Sequence, residues 1–259
     1  MTSPKQHKSV YLVDLALLVN VICDLPIEFT RLQFDLMLQE KGGFQNESSY
    51  ESYYGMGKDL RLLLPVSDAL NKRTDQLSRL CELRRTSESR WKDTIRRLLL
   101  AYEPVFSRFL DFLKKPRTES EILEKFNPFT GKTLIKWGQD FGSIDFAESS
   151  QRFYALARQP PSPRKFWDSL KKKYGVLRET SVVGVRSAFI KIPRLRDEVD
   201  PSLGITPDEF NALMARLLED KQYAFRIELS GAPLAFVEKD GGMPLNYNSR
   251  NYYFIALKL

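Results

Sequence analysis

Histidine and cysteine are scarce in this 259-residue chain, and their scarcity excludes several classes of chemistry. The single histidine, His7, lies in a polar N-terminal stretch. A lone histidine there argues against Ser-His-Asp and Cys-His catalysis, histidine-based metal sites and a histidine general base. The two cysteines, Cys23 and Cys81, lie in apolar, helix-like surroundings and cannot make a zinc site by themselves. We expect buried free thiols in a reducing compartment rather than a disulfide.

The sequence also lacks a long hydrophobic run. Its longest apolar stretch extends from Leu15 to Ile22 and is interrupted by Asn20. A membrane-spanning helix needs roughly 20 apolar residues, so this stretch is too short. Acidic and amide residues, together with the lack of a small-residue cleavage site, argue against a signal peptide. We therefore expect a cytoplasmic protein without a membrane partner.

Patterns typical of enzymes are missing as well. The acidic pairs Asp197/Glu198 and Asp208/Glu209 have no third acid at metal-site spacing, which argues against a two-metal nuclease. The letters GKT at Gly131–Thr133 match part of a phosphate-binding loop, but Phe126 stands where that motif needs a glycine. We predict a non-enzymatic protein with no catalytic residues, no metal and no cofactor.

Basic charge is present in excess and is concentrated in two blocks. The net charge is +7. Residues 71–97 contain nine Lys and Arg against four Asp and Glu, and residues 158–199 contain eleven against four. Such blocks are typical of a surface that binds a polyanion. Basic residues on a long solvated helix would give the same composition, and that alternative stays open.

Apolar periodicity predicts a mainly α protein with small β-hairpins, of the α+β class. We predict a helical N-terminal region over 1–90, a module over 91–157, a proline-rich linker over 158–164 and a second module over 165–259. Within the first region we predict helices over Val10–Cys23 and Ile27–Leu38, and helical structure over 58–97 that is broken at Pro65 and continues as a long charged helix from about Ser67. We predict an exposed tyrosine-rich loop over Phe44–Gly57.

Both modules combine helices with a short pair of strands. The patterns are TESEILEKF…GKTLIKWGQDFGSID…RFYALA and AFIKIPRLRDEV…ITPDEFNALMARLLED…YAFRIEL. In this order of elements the chain resembles the winged helix-turn-helix superfamily over roughly residues 91–259. The resemblance implies tandem winged-helix domains. Such domains commonly place their third helix in the major groove of DNA and their wing on the backbone or minor groove, but many only bind other proteins.

The third helices of the two modules differ in charge. In the second module, Thr206, Pro207 and Glu209 predict a sharp helix start. The helix that follows exposes four carboxylates and one arginine, so we do not expect it to read bases. In the first module the third helix exposes Lys132 and Lys136, with Thr133 and Gln139 beside them and Gly131 permitting close backbone approach. That face is better suited to contact a phosphate or a base than the acidic face of the third helix in the second module.

The residues that we predict to contact nucleic acid are all basic. They are Lys132, Lys136, Arg164, Lys165, Lys171, Lys172, Lys173, Arg178, Arg186, Arg194 and Arg250. Our leading interpretation is a non-catalytic DNA-binding protein, a regulator or an accessory subunit of a DNA-processing or DNA-defence assembly. The alternative is a protein–protein interaction scaffold whose winged helices dock on partner subunits without contacting DNA.

Overall fold

Most of the apolar periodic segments form helices. The structure is a computed structural model and describes residues 13–67, 69–148, 150–157, 159–180, 189–231 and 243–258. In these ranges the chain is mainly helical with small sheets of two or three strands, which confirms the predicted α+β class. The chain divides into two compact units. The first comprises the described residues up to Phe112 and Glu119–Ile144, and the second comprises Leu113–Thr118 and the described residues from Asp145 onward.

The first unit combines eight helices and a three-stranded sheet among its described residues. In chain order these are α1 (Leu15–Asp24), β1 (Glu28–Thr30), α2 (Arg31–Gly42), α3 (Glu47–Asp59), β2 (Leu63–Pro65), β3 (Leu70–Arg73), α4 (Asp75–Thr86), α5 (Glu88–Tyr102), α6 (Pro104–Phe112), α7 (Glu119–Phe126) and α8 (Pro128–Asp140). The sheet is antiparallel with the order β1-β3-β2. From α1 to β3 the order is therefore helix, strand, helix, helix, strand, strand, with the last strand in the middle of the sheet.

The tyrosine-rich segment Phe44–Gly57 is not the exposed loop that we predicted, because most of it forms α3. Asn46 begins the helix, since its side-chain oxygen accepts a hydrogen bond from the Ser49 N–H at 2.8 Å. Tyr53 is buried, and its hydroxyl accepts a hydrogen bond from the Asp14 N–H at 3.0 Å. The tyrosines recur at helical spacing, which is the signal that would have identified the helix.

Two strands, β2 and β3, lie within the segment over residues 58–97 that we predicted to be helical on both sides of Pro65. β2 and β3 form a hairpin, and β1 pairs with the other edge of β3, so that Leu64, Lys72 and Glu28 lie opposite one another. β1 likewise lies within the helix predicted over Ile27–Leu38. Those predictions were wrong because strands of three or four residues are too short for their alternation to stand out from a helical pattern.

The two cysteines are bonded to each other, which contradicts our expectation of free thiols. Cys23 lies in the last turn of α1 and Cys81 in the middle of α4, with their Cα atoms 5.7 Å apart. This separation is usual for a disulfide. Packing of α1 against α4 brings together two residues that are 58 positions apart in the chain. The cysteines therefore give no support for a reducing compartment, and the cytoplasmic location stays a prediction.

The second unit contains the remaining described helices and strands. In chain order these are β4 (Ile144–Ala147, whose first residue belongs to the first unit), β5 (Arg152–Ala155), α9 (Pro163–Thr180), β6 (Ile190–Lys191), α10 (Ile192–Leu203), α11 (Pro207–Glu219), α12 (Lys221–Ala224), β7 (Ile227–Ser230), β8 (Leu245–Tyr247), β9 (Arg250–Tyr252) and β10 (Phe254–Leu257). β6, β10 and β7 form an antiparallel sheet in that order. From α9 onward, the described elements follow the order of the segment from α1 to β3 with α12 and the β8–β9 hairpin added, and the last strand is again central in its sheet.

The helix start that we predicted at Thr206, Pro207 and Glu209 is confirmed, and it begins α11. Thr206 and Glu209 form a reciprocal capping box, in which the Thr206 hydroxyl accepts from the Glu209 N–H at 3.2 Å and the Glu209 carboxylate accepts from the Thr206 N–H at 2.9 Å. Phe210 and Met214 are buried, as the helical spacing predicts. The YAFRIEL stretch is only partly a strand, because its first two residues belong to α12 and β7 begins at Ile227.

The compact units do not follow the domain limits that we predicted. Helices α5 to α8 belong to the first unit, whereas the β4–β5 hairpin belongs to the second from Asp145 onward. The predicted domains over 1–90, 91–157 and 165–259, and the linker over 158–164, stay predictions.

Gly204 fixes the end of β5 against the turn between α10 and α11. Its φ is +66°, and its carbonyl oxygen accepts a hydrogen bond from the Ala157 N–H. A Cβ atom at this position would lie 2.7 Å from the Ala155 carbonyl oxygen and 2.8 Å from the Ala157 nitrogen. Next to this contact, the Tyr154 hydroxyl donates to the Ile205 carbonyl at 3.0 Å. The residues that lead into the proline-rich segment are therefore held in place.

Replacing Gly204 by alanine should lower the free energy of unfolding by about 2 to 4 kcal/mol. The new side chain would meet backbone atoms that cannot move aside, and its φ favours glycine. Gly175 in α9 is the matched control, because a Cβ there has no atom within 4 Å. Gly175→Ala should leave stability unchanged or raise it by up to about 1 kcal/mol. Urea unfolding measures both variants, and equal effects would contradict the role of Gly204.

Candidate nucleic-acid interface

Helix α9 carries the largest group of the basic residues that we predicted to contact nucleic acid. Its 18 residues give it a length of about 27 Å. Phe166, Leu170 and Tyr174 recur every four residues and are fully buried, so the opposite face of the helix lies in solvent. Before the helix, the Ser162 hydroxyl accepts a hydrogen bond from the Lys165 N–H at 3.3 Å. This contact satisfies one of the free N–H groups of the first turn.

Four cations on the outer face of α9 have no carboxylate partner in the part of the chain that the structure describes. We call them the α9 cation group, and they are Arg164, Lys165, Lys172 and Arg178, all exposed. Asp168 and Glu179 are the exposed carboxylates of the same helix, so positive charge remains in excess. Exposed cations without an internal partner are available to bind phosphate oxygens.

The other two predicted lysines of α9 have partners. Lys171 Nζ lies 3.2 Å from the Asp168 carboxylate, and Lys173 Nζ lies 3.0 Å from the Glu198 carboxylate on α10. Exposed ion pairs of this kind are weak, so a phosphate could displace either carboxylate. Both lysines are nevertheless weaker candidates than the α9 cation group.

In the first unit, α8 presents one free lysine and one paired lysine. Lys132 is exposed and has no ion-pair partner in the described ranges. Lys136 Nζ lies 3.1 Å from the Asp14 carboxylate and 3.8 Å from that of Asp140. The hydrogen bond to Asp14 raises the pKa of Lys136 above its ordinary value despite partial burial. Of the two, Lys132 is the more available for a phosphate.

Two residues that we expected on the outer face of α8 are buried, and those expectations were wrong. Thr133 is 1% exposed, and its hydroxyl donates to the Phe129 carbonyl at 3.0 Å. Gly131 faces α7, where an added Cβ would lie 2.7 Å from the Leu123 side chain. Gly131 therefore lets two helices pack closely and offers no backbone surface to a ligand.

The outer face of α11 is acidic, as its sequence pattern predicts. Asp208, Glu219 and Asp220 are exposed there, against the single cation Arg216. This face would repel phosphates, and its carboxylates could accept hydrogen bonds only from the amino groups of cytosine and adenine in the major groove. The geometry gives no reason to place α11 against DNA.

The remaining predicted residues are scattered. Arg194 is exposed on α10, and Arg250 is exposed at the start of β9, next to a turn at Asn248 and Ser249 in which both residues have positive φ. Arg186 lies outside the described residues, as do His7 and Arg158.

We did not predict the two buried titratable side chains of α10, Arg196 and Asp200. Asp200 is 2% exposed, and neither of its carboxylate oxygens has a hydrogen-bond partner in the described part of the chain. Burial raises the pKa of Asp200 to about 9, although Arg196 opposes the shift. Arg196 is also buried, and its guanidinium donates to the Met243 carbonyl at 2.8 Å and to the Asn211 side chain at 2.9 Å. Arg196 and Asp200 are four residues apart and directly follow Leu195 and Val199, which have the same spacing. This spacing is the sequence signal that would have placed both charged residues on one face of the helix.

Comparisons with known proteins do not assign the chain to a family. No family model matches it, and no match is found among the curated proteins or the solved structures. No helix in the described ranges is both long and apolar enough to cross a membrane. No group of three or more His, Cys, Asp or Glu among the same residues is placed to hold a metal ion.

The predicted contact residues therefore form one clear group. Arg164, Lys165, Lys172 and Arg178 share one helix, with Arg194 in the same compact unit. Lys132 and Lys136 belong to α8 in the other unit.

Proposed function

We propose that the protein is a non-catalytic DNA-binding protein that holds the phosphate backbone with the α9 cation group. The observation that carries this proposal is the set of four exposed cations on one helix, none with a carboxylate partner in the described ranges. Contacts of this kind do not distinguish sequences, because every nucleotide carries the same phosphate. Such a protein suits the role of a regulator or an accessory subunit of a DNA-processing or DNA-defence assembly.

The order of elements supports a tandem winged-helix assignment. The described residues from Leu15 to Arg73 run helix, strand, helix, helix, strand and final strand. Those from Pro163 to Leu257 follow the same order with two additions, the short helix α12 before β7 and the β8–β9 hairpin before the final strand. In both segments the final strand is central in its three-stranded sheet. This is the order of a winged helix. The first of these segments lies in the region that we predicted to be purely helical, so we propose a winged helix there in addition to that of the second module. Fold alone does not decide function.

The third helix of each segment argues against base reading. α3 exposes Glu47, Glu51 and Asp59 against the single cation Lys58, and α11 is acidic in the same way. A base-reading helix needs donors and positive charge on its solvent face. We therefore propose that DNA contacts α9 rather than the third helices.

Replacing all four members of the α9 cation group by glutamine should weaken binding to duplex DNA about 100-fold near 100 mM salt. The slope of log K against log salt should become shallower by about 3 to 4, because each lost phosphate contact changes it by about 0.9. Fluorescence anisotropy of a labelled random duplex over a range of salt concentrations measures both quantities.

The control variant replaces Lys171 and Lys173, which lie on the same helix but are already paired. It should change affinity and slope much less. An unchanged affinity in the four-residue variant, with the wild type binding, would exclude the α9 cation group.

The alternative function, a protein–protein interaction scaffold, is favoured by a different observation. Leu32 and Leu36 lie one turn apart on α2 and are 66% and 55% exposed. Together with the acidic face of α11, they offer surfaces on which a partner subunit could dock. A scaffold would not bind the labelled duplex even at low salt, and its partner would be retained at high salt and after nuclease treatment.

A further inference from the structure

Phe129, in the first turn of α8, is the most exposed large apolar side chain of the described residues, at 72%. Its ring has no aromatic or cationic neighbour among those residues. Phe225 in the second unit is 64% exposed, but the Arg226 guanidinium lies over its ring at 5.2 Å. A single exposed apolar residue is ordinary on a protein surface. Phe129 differs because of the residues that share its face.

Two lysines share the outer face of α8 with Phe129. Lys132 and Lys136 follow it by three and seven residues, and residues at these spacings lie on one side of a helix. Lys132 has no carboxylate partner in the described ranges, and the partners of Lys136 are half-exposed carboxylates, which a phosphate could displace. The face therefore places an uncovered aromatic ring in line with two cations.

The start of α8 is held by hydrogen bonds, which fix the backbone position from which Phe129 projects. The Asn127 side chain accepts a hydrogen bond from the Thr130 N–H at 3.0 Å. One turn later, the Thr133 hydroxyl donates to the Phe129 carbonyl at 3.0 Å. Trp137, two turns beyond Phe129 along the helix, is fully buried. Because the backbone that carries Phe129 is already fixed, only the ring itself loses conformational freedom when a ligand packs on it.

We propose that the outer face of α8 binds unpaired nucleotides, with the ring of Phe129 stacked on a base and Lys132 and Lys136 on the flanking phosphates. Bases in a duplex cover one another's faces, so only an unpaired base can offer its face to a phenylalanine. The site rests on the proposed nucleic-acid function, but it lies in the other compact unit from the α9 cation group. The protein would thus hold a duplex and a single strand with different helices.

The test compares a labelled oligothymidylate with a labelled duplex of equal length, by fluorescence anisotropy on the full chain. Phe129→Ala should weaken binding to the single strand about tenfold, the effect of losing one stacked base, and leave the duplex within about twofold. Phe129→Leu should weaken binding to the single strand almost as much, because leucine keeps the apolar bulk but lacks an aromatic face for stacking. Phe225→Ala is the matched control and should change neither affinity.

The two proposals fail in distinguishable ways. If Phe129→Ala leaves single-strand affinity unchanged while the wild type binds the duplex, the α8 site is wrong and the proposed DNA binding stands. An equal loss on both probes would overturn stacking on an unpaired base. If the wild type binds neither probe at low salt, both proposals are wrong. Circular dichroism of each variant checks that the fold is retained.

Discussion

Replacing Cys23 and Cys81 by serine should lower the free energy of unfolding by about 3 to 4 kcal/mol. The bond closes a loop of 58 residues, and opening such a loop restores conformational freedom to the unfolded chain. The native contacts of α1 should largely remain, because Arg73 also binds the C-terminal end of this helix. Its guanidinium donates to the Cys23 carbonyl at 3.0 Å and to the Pro26 carbonyl at 3.1 Å. Urea unfolding of the double variant measures the difference.

The wild type under reducing conditions is the internal control for this prediction. Its unfolding midpoint should fall to that of the Cys23→Ser/Cys81→Ser variant, whereas reductant should not affect the variant itself. If reductant does not shift the wild type and the variant is equally stable, the two thiols are not bonded in the protein as prepared.

Replacing Asp200 by asparagine should stabilise the protein above neutral pH, by about 2 kcal/mol at pH 8. Asparagine has nearly the shape of the protonated acid and carries no charge to bury. At pH 5 the difference should be small, because the folded protein can then keep Asp200 protonated with little loss of stability. Urea unfolding of wild type and variant at pH 5, 7 and 9 measures the trend.

The direction in which stability changes with pH follows from the raised pKa of Asp200. Burial raises the pKa of Asp200 to about 9 in the folded protein, from an ordinary value of 3.8. Between these values the folded state holds a proton that the unfolded state has released, so stability falls as pH rises from about 4 to about 9. The charged groups that act on Asp200 are Arg196, Asp197, Asp145 and Glu209, in that order.

Asp208 is the control for this pH dependence, because it is an exposed carboxylate in the first turn of α11. Asp208→Asn should lower stability slightly at pH 5, 7 and 9 alike, through loss of a favourable interaction with the helix dipole. A wild-type stability that rises from pH 7 to 9, or an Asp200→Asn variant that is less stable at pH 9, would contradict the assignment.

Local signals predicted the helices better than the strands. The start of α11 follows from Thr206 and Glu209 alone, since a capping box needs only residues three apart. α3 was missed because we gave its serines and glycines more weight than its spaced tyrosines. β1 and β2 have three residues each, and their pairing with β3 depends on a neighbour that lies far along the chain.

For the candidate interface, the sequence identified the cations but not their partners. The exposed face of α9 follows from its helical pattern, and with it the four members of the α9 cation group. The partners of Lys136 and Lys173 could not be predicted, because Asp14 lies 122 residues from the first and Glu198 lies 25 residues from the second. The disulfide escaped prediction for the same reason, since composition does not show which helices pack together.

The bond between Trp137 and the beginning of the described chain bears on how the protein folds during synthesis. The Trp137 indole N–H donates to the Val13 carbonyl at 2.8 Å, across 124 residues. At about 5 to 20 residues per second, a ribosome needs roughly 6 to 25 s to make the second partner after the first. During that interval α1 can pack against α2 once α2 has been made, but the Val13 carbonyl must wait for α8. A nascent chain stalled before α8 leaves the ribosome tunnel should therefore lack the bond that ties Val13 to the rest of the first unit.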